Sequence, residues 1–219
     1  MSLQLKLDAV KHDFESRVPA QALAVMEKST QDLVASRQAE RALKSGDVAP
    51  TFTLADSDGN TVASEDLLLK GPLVITFYRG VWCPYCNLEL QALEAVRSEI
   101  ESRGATLIAV SQQTAGNSRA SRRDNAVSFP ILIDQGGGLA DSFGIRWALQ
   151  GEIKALYEQF GVNLQTFNGE SSWTLPMPAR YVIDTEGVIA YSEVNPDYTR
   201  RPEPAELLPI LDAFDKYAG

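Results

Sequence analysis

The order of strand and helix signals predicts an α/β fold, with a largely parallel sheet covered on both faces and an antiparallel pair at one edge. Three observations carry this. Apolar, β-branched runs at residues 73–78, 105–110 and 129–133 alternate with helical stretches. The helix after the first run carries an apolar stripe, Leu90, Leu93, Val96 and Ile100, of the kind that lies on a sheet. Late in the chain, residues 180–184 and 188–194 alternate around Thr185-Glu-Gly187 and read as a hairpin. The parallel crossovers should be right-handed.

Residues 1–45 read as an N-terminal helical arm. Leu7, Val10, Phe14 and Val18 recur at helical spacings, and Pro19 breaks the run. A second helix is expected over residues 20–44, interrupted near Ser29-Thr30 where Thr30 caps a new start, with Gly46 as a natural stop. The arm has few large apolar residues for its length. It is therefore a candidate either to wrap the domain or to pack on a second copy of the chain in a homodimer.

The main domain is expected over residues 46–219. Residues 49–54 alternate as a short strand, Asp56-Ser-Asp-Gly59 is a turn, and Ser64 reads as the cap of a short helix over residues 65–70. Beyond the strand at 73–78 comes a helix over 87–103, ended by Gly104. A further helix is expected over 118–125. The triplet Gly136-Gly-Gly138 opens no long helix and reads as a plain connection. Residues from about 145 to 175 look like an insertion, helical at 152–160 and polar over 163–172, with Trp147 and Trp173 as packing residues. The stretch holding Asp197, Arg200, Arg201 and Glu203 reads as a solvated loop. A last helix is expected over 206–216, with Pro209 in its first turns.

Composition narrows the chemistry. Apolar residues make up 44% and charged residues 22%, which allows a real core. The net charge of −9 argues against nucleic-acid binding. The nearest basic cluster, Arg119, Arg122 and Arg123, has Asp124 beside it and reads as a solvated face. No run reaches the roughly 18 apolar residues of a membrane span, and residues 1–8 lack the apolar centre of a signal peptide, so a cytoplasmic chain is expected. The only histidine is His12, in the arm, which leaves no Ser-His-Asp triad and no Cys-His pair. No metal site and no cofactor are expected.

Both cysteines lie in Trp82-Cys83-Pro84-Tyr85-Cys86, between the first strand and its helix. Unpaired N–H groups and the positive dipole end of a helix N-terminus favour thiolate over thiol. Cys86 falls on the apolar stripe of the helix, and Cys83 lies one turn earlier, at its open end. A pair closing so short a loop staples little, so the thiols are expected to be reactive.

At Phe77-Tyr-Arg-Gly-Val-Trp-Cys-Pro-Tyr-Cys86 the chain resembles the thioredoxin superfamily, and more narrowly a peroxiredoxin-like branch of the alkyl hydroperoxide reductase and thiol-specific antioxidant family. Gly46-Asp-Val-Ala-Pro-Thr-Phe-Thr-Leu54 and Arg180-Tyr-Val-Ile-Asp-Thr-Glu-Gly187 are similar to segments of that family, and the likeness covers about residues 46–216. It implies a thioredoxin-like fold, with a mixed central sheet flanked by helices on both faces. Counted from Tyr78, the family's peroxide-attacking cysteine falls on Cys86, with Cys83 resolving. Counted from Trp82, thioredoxin's exposed first cysteine falls on Cys83. Arg79 stands where peroxiredoxins carry a proline, and Pro178 where they carry a supporting arginine. Arg79 and Arg180 are candidates to supply that charge. Pro178 is also similar to the cis-proline that faces the thiols in thioredoxin-like folds. Trp82 is read as a wall of the site, and Pro84-Tyr85 is similar to the dipeptide between the glutaredoxin cysteines.

The resemblance implies a thiol peroxidase acting on hydrogen peroxide or small organic hydroperoxides through a Cys83/Cys86 sulfenic acid and disulfide cycle, with thioredoxin or another dithiol as reductant. Two rivals stand beside it. One is a thiol–disulfide oxidoreductase using Cys83 then Cys86. The other is a non-enzymatic redox sensor with Trp82, Tyr85 and Trp173 as a contact surface.

Overall fold

The computed structural model describes residues 1–215 and opens with the arm: α1 (Leu3–Arg17), α2 (Ala20–Ala35) and the short α3 (Gln38–Arg41). Pro19 separates the first two helices, as its fixed φ and missing N–H require. No break occurs at Ser29-Thr30. The Thr30 hydroxyl donates back to the Met26 carbonyl at 3.2 Å, so it sits inside a continuing helix instead of capping a new one. The break comes at Arg37, which adopts φ +56. Gly46 stops no helix, because the chain is already extended at Ala42.

The main domain follows with β1 (Thr53–Asp56), β2 (Thr61–Ala63), α4 (Ser64–Leu68), β3 (Leu73–Phe77), α5 (Pro84–Glu101), β4 (Thr106–Ser111), α6 (Ala115–Asp124), β5 (Ile131–Ile133) and α7 (Gly138–Ser142). The strand expected at 49–54 begins only at Thr53. Residues 46–49 instead pair with the later hairpin, with Ala49 N–H donating to the Gly187 carbonyl at 2.9 Å. Ser64 is the first residue of α4, not its cap, and its hydroxyl accepts from Phe52 N–H at 3.0 Å. All three arginines of the basic cluster are engaged, Arg123 with its neighbour Asp124 at 2.7 Å. Arg119 donates to the Ser57 carbonyl at 2.6 Å and Arg122 pairs with Asp58 at 2.6 Å, so α6 is tied to the β1–β2 turn.

The insertion comprises β6 (Arg146–Ala148), α8 (Glu152–Gln159), α9 (Leu164–Asn168) and β7 (Thr174–Pro176), with β6 and β7 paired antiparallel as a separate ribbon. Part of the polar excursion is thus helical, capped by the Asn163 side chain, which accepts from Thr166 N–H at 3.1 Å. Trp173, Leu149, Tyr157, Leu164 and Leu175 form a small core of its own, with Trp147 against it. The chain closes with β8 (Ala179–Ile183), β9 (Ile189–Val194), a 3-10 turn and α10 (Leu207–Asp215). Lys216, the expected end of that helix, lies outside the described residues.

The seven-stranded sheet has the order β2-β1-β5-β4-β3-β8-β9. Only its middle pairings, β5–β4 and β4–β3, are parallel, and both flanks are antiparallel. The sheet is mixed, with less parallel pairing than the alternation of signals suggested. The difference arises because β8 joins β3, and β1 joins β5, from the opposite direction.

Strand alternation sorts the core into two layers. Leu73, Ile75 and Phe77 of β3 pack on one face with Phe143, Met177 and Tyr181. Val74 and Tyr78 point to the other, where the buried stripe of α5 (Leu90, Leu93, Ile100) meets Leu3 and Leu7 of α1 and Leu207 and Leu211 of the C-terminal segment. The arm therefore folds back on its own domain. The register pairs Thr76 with Arg180. That pairing brings the β8 arginine to the same face as the first turn of α5.

Candidate active site

The site forms where β3 runs into α5. Tyr78 N–H still bonds the Val110 carbonyl at 3.1 Å, then Gly80 turns the chain, with Cys83 N–H donating to the Gly80 carbonyl at 3.1 Å. Gly80 is required here: its φ is +154, and a Cβ would lie 2.5 Å from the Trp82 Nε1. Cys83 is the extended N-cap of α5 and Pro84 its first helical residue, a position where the missing N–H costs nothing. The helix thus begins before Cys86, which lies in its first turn. Gln113, two residues after β4, braces the loop, accepting from Val81 N–H at 3.0 Å and donating to the Tyr78 hydroxyl at 2.6 Å.

Both cysteines are free thiols with no solvent exposure. Cys83 is therefore not the open-ended residue that its place at the helix tip suggested. The arm, the insertion and Tyr198 cover it. The two sulfurs are driven apart in acidity. Burial alone would raise Cys83, but the Cys86 thiol donates to it and the Arg79 and Arg201 charges face it, holding its pKa down to about 6. Cys86 is pushed well above the ordinary thiol value by burial and by the neighbouring Cys83 thiolate. The pair rests as one thiolate and one thiol, with Cys83 carrying the charge.

Each sulfur has its own guanidinium. Arg79 Nη1 lies 3.9 Å from Cys83 Sγ, and Arg201 Nη2 donates to Cys86 Sγ at 3.5 Å. Arg79 is held by rings, its guanidinium 4.1 Å from the Tyr198 centroid and 4.9 Å from that of Trp82, and it donates to the Tyr157 hydroxyl. Arg201 donates to Glu89 and, at 2.7 Å, to the Tyr198 carbonyl. Glu89 also accepts from Arg180 at 2.9 Å, so one buried carboxylate anchors two buried arginines. Against that burial, Glu89 and the two sulfurs keep the Arg201 guanidinium above its ordinary pKa. Arg79, Arg180 and Arg201 are buried with Glu89 as the one carboxylate paired to any of them, an excess of cation that favours an anion at the sulfurs.

The expected site residues divide accordingly. Cys83, Cys86, Arg79, Trp82, Pro84 and Tyr85 come together with Tyr78 behind them. Arg180 reaches Glu89 and the Pro202 carbonyl (3.2 Å), so its link to the sulfurs runs through Glu89 and Arg201. Pro178 departs from expectation. No peptide bond among the described residues is cis, so Met177–Pro178 is trans. The backbone on either side is held extended, with Met177 N–H on the Ile145 carbonyl at 2.8 Å and Asn195 N–H on the Pro178 carbonyl at 3.2 Å. It is an ordinary proline at a strand start. Arg201 was read as solvated; it is buried, because Glu89 and two carbonyls replace its water. The residues missed were Arg201, Glu89, Tyr157, Tyr198 and Gln113. Glu89 alone had a signal, a charge three residues after Cys86 on the sheet-facing stripe.

Beside Cys83 lies a cavity of about 430 Å³. Its walls include Phe14 and Met26 from the arm, Tyr157 and Phe160 from the insertion, and Trp82, with Arg79 buried beside the sulfur.

The AhpC/TSA family model matches residues 45–192. Among curated proteins, the chain is 26% identical over 175 residues to a chloroplastic peroxiredoxin Q of Triticum aestivum, covering 80% of this chain and 70% of that one. It is 33% identical over 110 residues to the thiol-disulfide oxidoreductase ResA of Halalkalibacterium halodurans, covering 49% of this chain and 61% of that relative's length. Among solved structures, peroxidoxin BcpB from Mycobacterium tuberculosis superposes with a TM-score of 0.61 at 21% identity, over 78% of this chain and 97% of that one. AhpC of the same organism gives 0.60 at 17% identity, over 81% and 96%. These likenesses fit the thioredoxin-like fold. Matched over well more than half its length by one family model, the chain belongs to the AhpC/TSA family.

Proposed function

We propose that the protein is a thiol-dependent peroxidase in which Cys83 attacks and Cys86 resolves. The observation that carries this reading is the Cys83 sulfur, held as thiolate at the N-cap of α5 between the Cys86 thiol and the Arg79 charge. Spacing from Tyr78 favours the opposite order. The acidity of Cys83 and its place in the cavity wall favour this one.

In the first step the Cys83 thiolate attacks the terminal oxygen of the hydroperoxide. A sulfur–oxygen bond forms, the O–O bond breaks, and the alkoxide leaves with the electron pair and takes a proton from water. Arg79 is placed to stabilise the developing negative charge. Sulfur is oxidised to sulfenic acid and the peroxide is reduced to an alcohol, or to water when the substrate is hydrogen peroxide. In the second step Cys86 sulfur attacks Cys83 sulfur and hydroxide leaves. The Cys86 proton goes to that hydroxide, giving water and a Cys83–Cys86 disulfide. Arg201 favours the Cys86 thiolate as this proton departs. An external dithiol such as thioredoxin returns both thiols, in a reducing compartment such as the cytoplasm.

Peroxide consumption by the wild type and by Cys83→Ser and Cys86→Ser variants tests the assignment. Cys86→Ser should still form one sulfenic acid, trapped by dimedone, and Cys83→Ser should form none. The reverse pattern would exchange the roles. A second reading, thiol–disulfide exchange, has the ResA likeness in its favour. Insulin reduction at a rate comparable to peroxide turnover would favour it.

A further inference from the structure

We propose that Tyr198 is a positioning residue for both sulfurs, its ring fixing the guanidinium that faces Cys83 and its carbonyl fixing the guanidinium that faces Cys86. For the roles of the two thiols this rests on the peroxidase reading above. Arg79 is a cation with few anchors. It is buried, it has no carboxylate partner among the described residues, and its Nε has no hydrogen-bond partner there. The oxygen it reaches is the Tyr157 hydroxyl. Its place is therefore set by the rings around it, with centroids at 4.1 Å for Tyr198, 4.9 Å for Trp82 and 5.7 Å for Tyr157. A desolvated guanidinium gains more from an aromatic face than an exposed one does, and the shortest of the three contacts falls on Tyr198.

The same residue holds the other cation through its backbone. Arg201 Nη1 donates to the Tyr198 carbonyl at 2.7 Å, while Nη2 reaches Cys86 Sγ at 3.5 Å. Ring and carbonyl belong to one short loop between β9 and the 3-10 turn, so the two guanidiniums share a mount. Local bonds shape that loop. The Asp197 carboxylate accepts from Thr199 N–H at 3.0 Å and from its hydroxyl at 2.7 Å. From α1, the Gln4 side chain accepts from Arg201 N–H and donates to the Thr199 carbonyl, each at 3.4 Å. The Tyr198 ring also meets Tyr85, which stands between the two cysteines, edge to face with centroids 5.5 Å apart. Tyr198 and Arg201 both lie beyond residues 45–192, the span of the family match.

The charges that Cys83 meets come from several elements. Arg79 faces it from the loop after β3, the Cys86 thiol from α5, and Arg201 from the loop after β9. On α1, Asp13 and Arg17 pair with each other at the cavity beside the sulfur. Lys11 and Glu15 pair in the neighbouring cavity, which Tyr85 and Tyr198 also line. Burial pushes the Tyr198 phenol up to about 12, so its ring stays uncharged while Cys83 titrates. Arg79 is the charge stacked on that ring. Loss of the ring should therefore be read at Cys83 through Arg79, and at Cys86 through the carbonyl that moves with it.

Two quantities test this in the wild type, Tyr198→Leu and Tyr198→Phe: the midpoint of thiolate absorbance at 240 nm, and the rate of disulfide closure after one addition of peroxide. Tyr198→Leu should raise the Cys83 midpoint by about one unit and slow closure about threefold. Tyr198→Phe keeps the ring face and should hold both near their wild-type values. A trifluorinated phenylalanine at position 198 keeps the shape of the ring and weakens its negative face. It should raise the midpoint part-way towards the leucine value, and it serves even if the leucine variant folds poorly. A wild-type midpoint in both the leucine and the fluorinated proteins, or a Tyr198→Phe protein that matches Tyr198→Leu, would overturn the role of the ring. A raised midpoint with closure at the wild-type rate would overturn the link to Cys86. The midpoint is read without peroxide. If it moves as stated in a protein that consumes no peroxide, the peroxidase reading falls and the positioning of Arg79 by Tyr198 stands.

Discussion

Arg201 donates to Cys86 Sγ across 3.5 Å, joining the loop before α10 to the first turn of α5. The two residues are 115 positions apart, and Arg201 lies beyond the family match. This contact gives the second sulfur a charge partner distinct from that of the first. In Arg201→Gln, Cys86 loses it and should ionise less readily. Disulfide closure after a single addition of peroxide should slow about tenfold, the equivalent of one pKa unit. Stopped-flow tryptophan fluorescence would follow it. Closure at the wild-type rate would remove Arg201 from the chemistry.

Glu89 anchors both Arg180 and Arg201 in the core. Removing the carboxylate leaves two buried cations without an anionic partner, a change that typically costs about 3–5 kcal/mol. Glu89→Ala should therefore lower the urea midpoint far more than Glu99→Ala, whose side chain is exposed. Equal shifts in the two variants would show that the buried network adds nothing to stability.

The acidity of Cys83 sets a pH window. Its folded pKa of about 6 lies below that of an unfolded cysteine, near 8.5. The thiolate's stabilisation is therefore complete above about pH 8.5 and is lost as pH falls through about 6. Absorbance at 240 nm should report one thiolate appearing with a midpoint near 6, absent from Cys83→Ser. Arg79→Gln should move that midpoint upward, with activity at pH 6.5 falling about tenfold per unit moved and recovering at high pH. A midpoint above 8 in the wild type would contradict the charge state assigned to the pair.

Gly80 permits Trp82 to fold over the loop. In Gly80→Ala the new Cβ would meet the indole at 2.5 Å in a backbone conformation that alanine resists. The variant should be destabilised by about 1–3 kcal/mol, with a shifted tryptophan emission maximum. Unchanged emission and stability would show that the loop absorbs the methyl group.

The parts of the site legible in the sequence are those whose cause is local. Proline after Cys83, the stripe from Cys86 through Leu90 and Leu93, and the β-branched run of β3 each specify their own geometry, and together they place the thiols at a helix tip. The hairpin of β8 and β9 was legible for the same reason. The strand order was less so, because β8 approaches β3 from the opposite direction and no local pattern records that. Arg201 was hidden more deeply. Among prolines and charges it looks solvated, and only Glu89, far away in sequence, makes its burial tolerable. Thr30 shows a smaller failure of the same kind: its hydroxyl serves a cap or an ongoing helix equally, and α2 decides which. The cover over Cys83 depends on where α1 and α2 fold back, so the thiol's accessibility could not be read from its position in the motif.

That cover matters for the return half of the cycle. A protein reductant cannot bond to an atom it cannot touch, and neither sulfur reaches the surface. A cover that must shift before the sulfurs are reduced should make the rate of regeneration level off as the donor is made abundant.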